Sequence, residues 1–256
     1  MMDEMATRLK TFKVMTHGRT DVGLIRDNNE DAWLVEAPEN VFVLCDGMGG
    51  HSAGEVASQE AALTFSNLVK STLTKNKKIP FKKKPEILKE LIQEVNASIY
   101  HLGQKERELK GMGTTLCCLY FHHSTMIVGH VGDSRVYLLR DGELKQLTED
   151  HSLVAELLEL GELNKRQARD CSYRNIITRA IGVQPSVDPS IQVREMIAGD
   201  QVLMCSDGLS DMLALDEIES ILNHSSTVEN AVDRLISTAN QKGGRDNITA
   251  VIVKLS

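Results

Sequence analysis

The chain is predicted to be an α+β protein, a four-layer α-β-β-α sandwich of two mainly antiparallel sheets flanked by helices. Three observations predict it. Short apolar runs broken by turns crowd the middle of the sequence, and helical periodicity comes in pairs to either side. There is no regular strand–helix alternation and no internal repeat, which argues against a parallel sheet. The two helices before the strand-rich middle each carry one apolar face, so each should lie against a sheet. All 256 residues are read as a single domain, with a flap insertion at about 152–179.

Residues 12–20 read as a first strand at a sheet edge, and a polar turn, Arg26 to Asp31, separates it from a second apolar run. Val41-Phe42-Val43-Leu44-Cys45 has the uninterrupted apolar character of a strand buried on both faces. Residues 55–69 form a partly amphipathic helix, with Ser52 as its cap and Glu55 completing a capping box. The lysine-rich stretch 70–84 reads as a solvated connector. Pro85 opens a second helix, with Ile87, Leu88, Leu91, Ile92, Val95, Ile99 and Leu102 at helical spacing.

Strands follow at 116–121, 126–131 and 135–140, and Asp141-Gly142 makes a hairpin turn to 144–147. Thr148 and Ser152 look like turn or cap residues, and His151 reads as structural. Short helical pieces at 154–160 and 165–170 lie in the insertion, whose Arg174, Asn175 and Arg179 read as surface residues. Strands at 187–194 and 200–205, a short helix near 215–222, a helix over 227–241 capped by Thr227 and ended by Gly243, and a last strand at 249–255 complete the chain.

One pattern recurs at the strand ends. Apolar runs stop at Asp46-Gly47, at Gly132-Asp133 and at Ser206-Asp207-Gly208, and Arg245-Asp246-Asn247 precedes the last strand. A single Asp-Gly is adequately explained as a turn whose carboxylate bonds the turn amides. If the four strand ends converge, their carboxylates repel one another unless cations lie between them. An all-oxygen donor set suits Mg²⁺ or Mn²⁺ and disfavours zinc. Arg26 offers a guanidinium fork for two phosphate oxygens, and Glu30 and Asp31 are placed to orient metal-bound water.

Composition narrows the classes. The chain is 41% hydrophobic and 25% charged, with Lys+Arg 29 against Asp+Glu 36 and a net charge of -7, so bulk charge gives it no affinity for nucleic acid. No apolar run has membrane-span length and residues 1–10 lack a signal-peptide stretch, so a cytoplasmic protein is the default expectation. The cysteines number five, with no Cys-x-x-Cys, and four fall inside apolar strands. They read as small core residues in a reducing compartment.

The ordered set Arg26-x-x-Asn29-Glu30-Asp31, Asp46-Gly47-x-Gly49-Gly50, Gly113-Thr114-Thr115, Gly132-Asp133-Ser134-Arg135, Ser206-Asp207-Gly208 and Arg245-Asp246-Asn247 resembles the metal-dependent protein Ser/Thr phosphatases (the PPM, or type 2C, family) over essentially the whole chain. The compact length and the form of the Asp46-Gly47-Met48-Gly49-Gly50-His51 motif are similar to bacterial stand-alone members. The resemblance implies hydrolysis of phosphoSer and phosphoThr by a metal-bridging hydroxide, with two core Mn²⁺ or Mg²⁺ ions and a third, weaker one. It implies that Asp46 bridges two ions, that the Gly47 carbonyl binds the second, that Asp207 and Asp246 bind the first, and that Asp133 with Asp207 holds the third.

Arg26 is then the phosphate-binding residue, and Glu30 and Asp31 act from the outer shell. The implied partners are phosphoprotein substrates and an opposing bacterial Ser/Thr kinase, with no nucleic acid and no membrane, and a monomer is expected. Many eukaryotic relatives carry a histidine after the first Asp-Gly as general acid. Met48 stands there in this chain and cannot donate a proton, which leaves His51 and a third-metal water as candidates. Two rival readings are a phosphoprotein sensor without turnover and a hydrolase of another phosphate compound such as a nucleotide. No Gly-x-x-x-x-Gly-Lys loop supports the latter.

Overall fold

The computed structural model describes residues 12–36, 40–49, 53–74, 76, 79–164, 167–168, 171, 173 and 176–256. Two sheets stack face to face. The first has the order β1 (Val14–Asp21), β11 (Ile248–Leu255), β10 (Gln201–Cys205), β7 (Arg135–Arg140), β8 (Glu143–Gln146). The second has the order β2 (Asp31–Glu36), β3 (Val41–Met48), β5 (Leu116–His122), β6 (Thr125–Val131), β9 (Ser190–Glu195), with β4 (Gly113–Thr114) paired to the end of β3. Every pairing is antiparallel.

Strand alternation builds the layers. In β3, Phe42 and Leu44 point into the core between the sheets, where they meet Val202 and Met204 of β10 and Val251 and Val253 of β11. Val41, Val43 and Cys45 of the same strand point the other way, onto α1 (Ala53–Val69) and α2 (Lys84–Lys105). On the far side, Leu203, Cys205, Ala250 and Ile252 pack against α5 (Leu215–Asn223) and α6 (Val228–Gln241). The result is four layers separated by three apolar cores. Strands buried on both faces explain the unbroken apolar runs in the sequence.

Local chemistry fixes the element ends. Thr227 caps α6 by accepting from the Asn230 amide at 3.1 Å, and Ser152 caps α3 (Leu153–Glu159) by accepting from Ala155. Asp141 and Gly142, with φ of 53° and 83°, turn β7 into β8 as the Asp-Gly pair demands. Cys45, Cys117, Cys118 and Cys205 are buried free thiols, and burial raises the pKa of each. Among the described residues, no helix is long and apolar enough to cross a membrane.

Three local expectations need correction. The stretch after α1 is not a plain connector: Lys70–Thr74 continues as a π-helical turn and Phe81–Lys83 as a 3₁₀ turn. Lys84 is buried rather than solvated, because its ammonium donates to the Tyr120 hydroxyl at 2.8 Å and lies over that ring. A four-residue helix, α4 (Asp207–Ser210), follows β10 directly, too short to leave a periodic trace. The expected cap Ser52, part of the 165–170 helical piece, and Arg174 and Asn175 lie outside the described residues.

Candidate active site

The strand ends that carry the acidic residues meet at one edge of the sandwich. Asp46 and Gly47 close β3, Asp133 follows β6, Asp207 opens α4 after β10, and Asp246 precedes β11. Together with Arg26, Glu30, Met48, Gly49 and Ile177 they line one pocket of about 320 Å³. Among the described residues, five carboxylates therefore share this pocket with a single guanidinium.

Main-chain and side-chain bonds hold each acid in place. The Asp46 amide donates to Thr115 Oγ1 at 2.9 Å, and its carbonyl accepts from the Thr115 amide at 2.8 Å and from Thr114 Oγ1 at 2.9 Å. Thr115 Oγ1 also lies 2.7 Å from Ser134 Oγ, next to Asp133. The Gly113-Thr114-Thr115 segment is thus a latch between two acidic turns.

Gly47 is required by close packing. A Cβ there would stand 2.1 Å from the Gly54 carbonyl oxygen and 2.7 Å from that of Glu30. Gly208 is under the same constraint, since a Cβ would meet the Asn247 carbonyl oxygen at 2.0 Å.

Asn247 ties the polar turn 22–30 to β11. Its Oδ1 accepts from the Glu30 amide at 2.8 Å, and its Nδ2 donates to the carbonyls of Val22 and Asn28. Arg26 is exposed and bonds Asp246 through one guanidinium nitrogen at 2.6 Å, which leaves other N–H groups of its fork unused by that contact. Asp31, opposite Asp46 in the β2–β3 register, is buried. Its Oδ2 accepts from Thr249 Oγ1 at 2.6 Å and Ser206 Oγ at 2.8 Å, while its Oδ1 meets no N–H or hydroxyl donor and the carboxyl lies beside that of Asp46.

Electrostatics mark the cluster as strained. Burial, then repulsion from Asp31, Asp207, Asp133 and Asp246, holds the Asp46 carboxyl well above the usual carboxylate range. Asp207 is raised in the same way, by burial first and then by Asp133 and Asp246. Burial pushes Asp133 up to about 6 and Asp31 to about 6, the latter despite its two hydroxyl donors. Glu30 is raised by burial as well. Burial opposes the Arg26 charge, but Asp246, Glu30 and Asp207 outweigh it and raise its pKa.

Such a cluster calls for positive charge, and its chemistry tests which kind. Its side-chain donors to a cation are the carboxylate oxygens of Glu30, Asp46, Asp133, Asp207 and Asp246. These fit hard divalent ions such as Mg²⁺ or Mn²⁺. Among the described residues, no three His, Cys, Asp or Glu side chains are gathered closely enough to hold an ion unaided.

All eight residues singled out from the sequence lie at this edge: Arg26, Glu30, Asp46, Gly47, Asp133, Asp207 and Asp246 in the pocket wall, Asp31 behind it. His51 lies outside the described residues, and the described pocket lining contains no histidine. Sequence reasoning gave no role to Thr115, Asn247, Ser206 or Thr249. Their signal was membership in, or adjacency to, the same short polar motifs, but hydrogen-bond partners as far as 225 residues apart leave no local pattern.

Residues 26–252 match the family profile described as protein phosphatase 2C. The serine/threonine phosphatase stp of Listeria monocytogenes is 41% identical over 239 residues, covering 92% of this chain and 94% of that protein. Among solved structures, serine/threonine phosphatase Stp1 from Staphylococcus aureus superposes with a TM-score of 0.87 at 33% identity, covering 95% of this chain and 96% of that one. The catalytic domain of the serine threonine protein phosphatase PstP, solved in complex with 2 manganese ions, superposes at 0.83 with 37% identity, covering 96% of this chain and 99% of that one.

Proposed function

The chain belongs to the protein phosphatase 2C family, and from that premise we propose that its acidic pocket hydrolyses phosphoserine and phosphothreonine monoesters in proteins. It is a metal-dependent protein Ser/Thr phosphatase. The observation that carries the site reading is the meeting of Asp46, Asp133, Asp207 and Asp246, from four separate strand ends, around one pocket that also holds Arg26.

Asp46, the Gly47 carbonyl, Asp207 and Asp246 would hold two core Mn²⁺ or Mg²⁺ ions, and Asp133 with Asp207 a third. When bound, divalent ions supply Lewis acidity, lowering the pKa of a water and offsetting phosphoryl charge. Arg26 binds the phosphoryl oxygens with the N–H groups that Asp246 leaves free, and Asp246 fixes the direction of the fork. The threonine latch fixes the Asp46 backbone, so the carboxylate does not reorganise as charge develops. Thr249 and Ser206 hold one oxygen of Asp31 and leave the other to accept from water. Glu30, anchored through Asn247, does the same from the pocket wall. Met48 has no proton to give the leaving Ser or Thr oxygen, so that proton comes from water or from His51.

We read the chain as one phosphatase domain with a flap insertion at about 152–179, a reading supported by Ile177 in the pocket wall. A cytoplasmic monomer opposing a Ser/Thr kinase is the cellular setting that this reading supports. The test is turnover with Mn²⁺ or chelator on phosphopeptides and on nucleotides. Mn²⁺-dependent phosphate release from phosphopeptides, well above that from nucleotides, is the expected result. Binding without release would point to a sensor, and preference for nucleotides would overturn the substrate class.

A further inference from the structure

His151 lies between β8 and α3, outside the lining of the acidic pocket, yet it clamps the residue next to Asp133. The His151 amide donates to the Gly132 carbonyl at 3.0 Å. The Gly132 amide in turn donates to His151 Nδ1 at 3.2 Å, in a buried contact. Gly132 has φ of 104°, and a Cβ there would lie 2.6 Å from Thr115 Cγ2. The residue before Asp133 is thus gripped by His151 and pressed against the threonine latch.

An amide can only donate, so Nδ1 carries the lone pair and the ring proton sits on Nε2. Nε2 then donates to Ser190 Oγ of β9 at 2.9 Å, and the Arg179 guanidinium, 3.4 Å from Nε2 and itself only a donor, is an electrostatic neighbour of that nitrogen rather than a hydrogen-bond partner. The ring stacks on His130, with centroids 4.6 Å apart and planes 17° apart, and His130 Nε2 donates to the Glu149 carbonyl at 2.8 Å. Burial, then His130 and Arg179, push the His151 imidazole down to about 3, which keeps this neutral form in place.

The other side of His151 faces residues 176–178. Its carbonyl accepts from the Thr178 amide at 2.8 Å, the Leu153 amide donates to Ile176, and Ser152 bridges to Ile177, a pocket-lining residue.

We infer that His151 is a positioning residue: through Gly132 it aims the Asp133 carboxylate, and through Thr178 it holds the 176–178 segment, which lines the pocket at Ile177, in register with it. The inference rests on the reading of Asp133 as a cation ligand. Without an acceptor at Nδ1 the buried Gly132 amide must turn to find another partner, and the next residue turns with it.

The experiment is Mn²⁺ calorimetry on the full chain, beside kcat/KM as a function of Mn²⁺, for Asp133→Ala, His151→Gln, His151→Asn and the Asp133→Ala/His151→Gln double variant. The Asn amide oxygen falls near the place of Nδ1, while the Gln amide reaches toward Nε2. His151→Gln should weaken the Asp133-dependent Mn²⁺ binding by about tenfold or more, and His151→Asn should stay within about threefold of the parent. Added to Asp133→Ala, His151→Gln should change the isotherm no further, because it acts through the carboxylate already removed.

Equal losses in the Gln and Asn variants, or a full additional loss in the double variant, would overturn the inference. No effect of Asp133→Ala itself would overturn the reading of Asp133, and the inference with it. Ser190→Ala keeps the inference open to refutation if His151→Gln does not fold. It removes only the Nε2 partner and should leave Mn²⁺ binding within about threefold. A tenfold loss there, with the fold intact, would move the role away from Nδ1 and sink the proposal.

Discussion

Asp207 is held in a state that would be unfavourable in an ordinary interior. It is raised by burial and by Asp133 and Asp246, so its ionised form destabilises the metal-free fold while serving a cation. Asp207→Asn should therefore do two opposite things. It should lower Mn²⁺-dependent kcat/KM on a phosphopeptide by about a hundredfold or more, since a ligand is lost. In chelator at neutral pH it should raise the thermal midpoint, since a buried like charge is gone. Unchanged activity would remove Asp207 from the ion site, and a lowered midpoint would show that repulsion is not the dominant strain. Arg26 supports a third expectation. Arg26→Ala should raise KM for a small phosphate ester by about tenfold, the worth of one charge-assisted hydrogen bond, and Arg26→Lys should restore only part because it lacks the fork. An unaltered KM would take Arg26 out of substrate binding. These acidic residues were legible in the sequence because each lies at one end of an apolar run and abuts a turn or a glycine. The residues that aim them were not. Asn247 reaches Val22 and Asn28 across more than 200 positions, and Thr249 reaches Asp31 across 218.

The elements that carry the site meet at van der Waals limits. The start of α4 touches the loop before β11 at Gly208, and the end of β3 touches the start of α1 at Gly47, where a Cβ would fall 2.0 Å and 2.1 Å from backbone oxygens. Backbone cannot give way as a flexible side chain can. Gly208→Ala should therefore push Asp207 away from Asp246, costing about 1–3 kcal/mol of stability and most of the activity. Denaturant unfolding with a parallel assay checks this, and a neutral result would mean that α4 shifts freely. The helices and strands themselves were largely legible, because two-sided burial writes unbroken apolar runs and one-sided packing writes helical periodicity. α4 was not, because four residues make barely one turn. Nor was the burial of Lys84, which depends on Tyr120, 36 residues away on β5. The pairing of the two sheets was expected from the lack of strand–helix alternation. What no local pattern encodes is that four strand ends share one edge, which follows only from the strand orders of both sheets together.

At the scale of the whole molecule, stability and cation binding are linked through pH. The chain carries a net charge of -7, and several of its acids crowd one pocket. Asp133 and Asp31 each have a folded-state pKa of about 6, above the ordinary 3.8. Between those values the folded state binds more protons than the unfolded state. Stability from these groups is complete below about pH 4 and is lost as pH rises through about 6. Exposed pairs such as Asp188–Lys89 lower the pKa of Asp188 and pull the other way, so the total curve mixes both signs. Comparison with Asp133→Asn isolates one carboxyl. In chelator the two proteins should melt alike near pH 4, and the variant should gain on the parent as pH approaches 7. With Mn²⁺ at a hundred times its Kd the order should invert. Each occupied site adds about 2.7 kcal/mol to the parent, and the variant lacks part of that. Parallel melting curves for the two proteins across this range, with and without Mn²⁺, would mean that Asp133 neither titrates as its burial requires nor meets a cation.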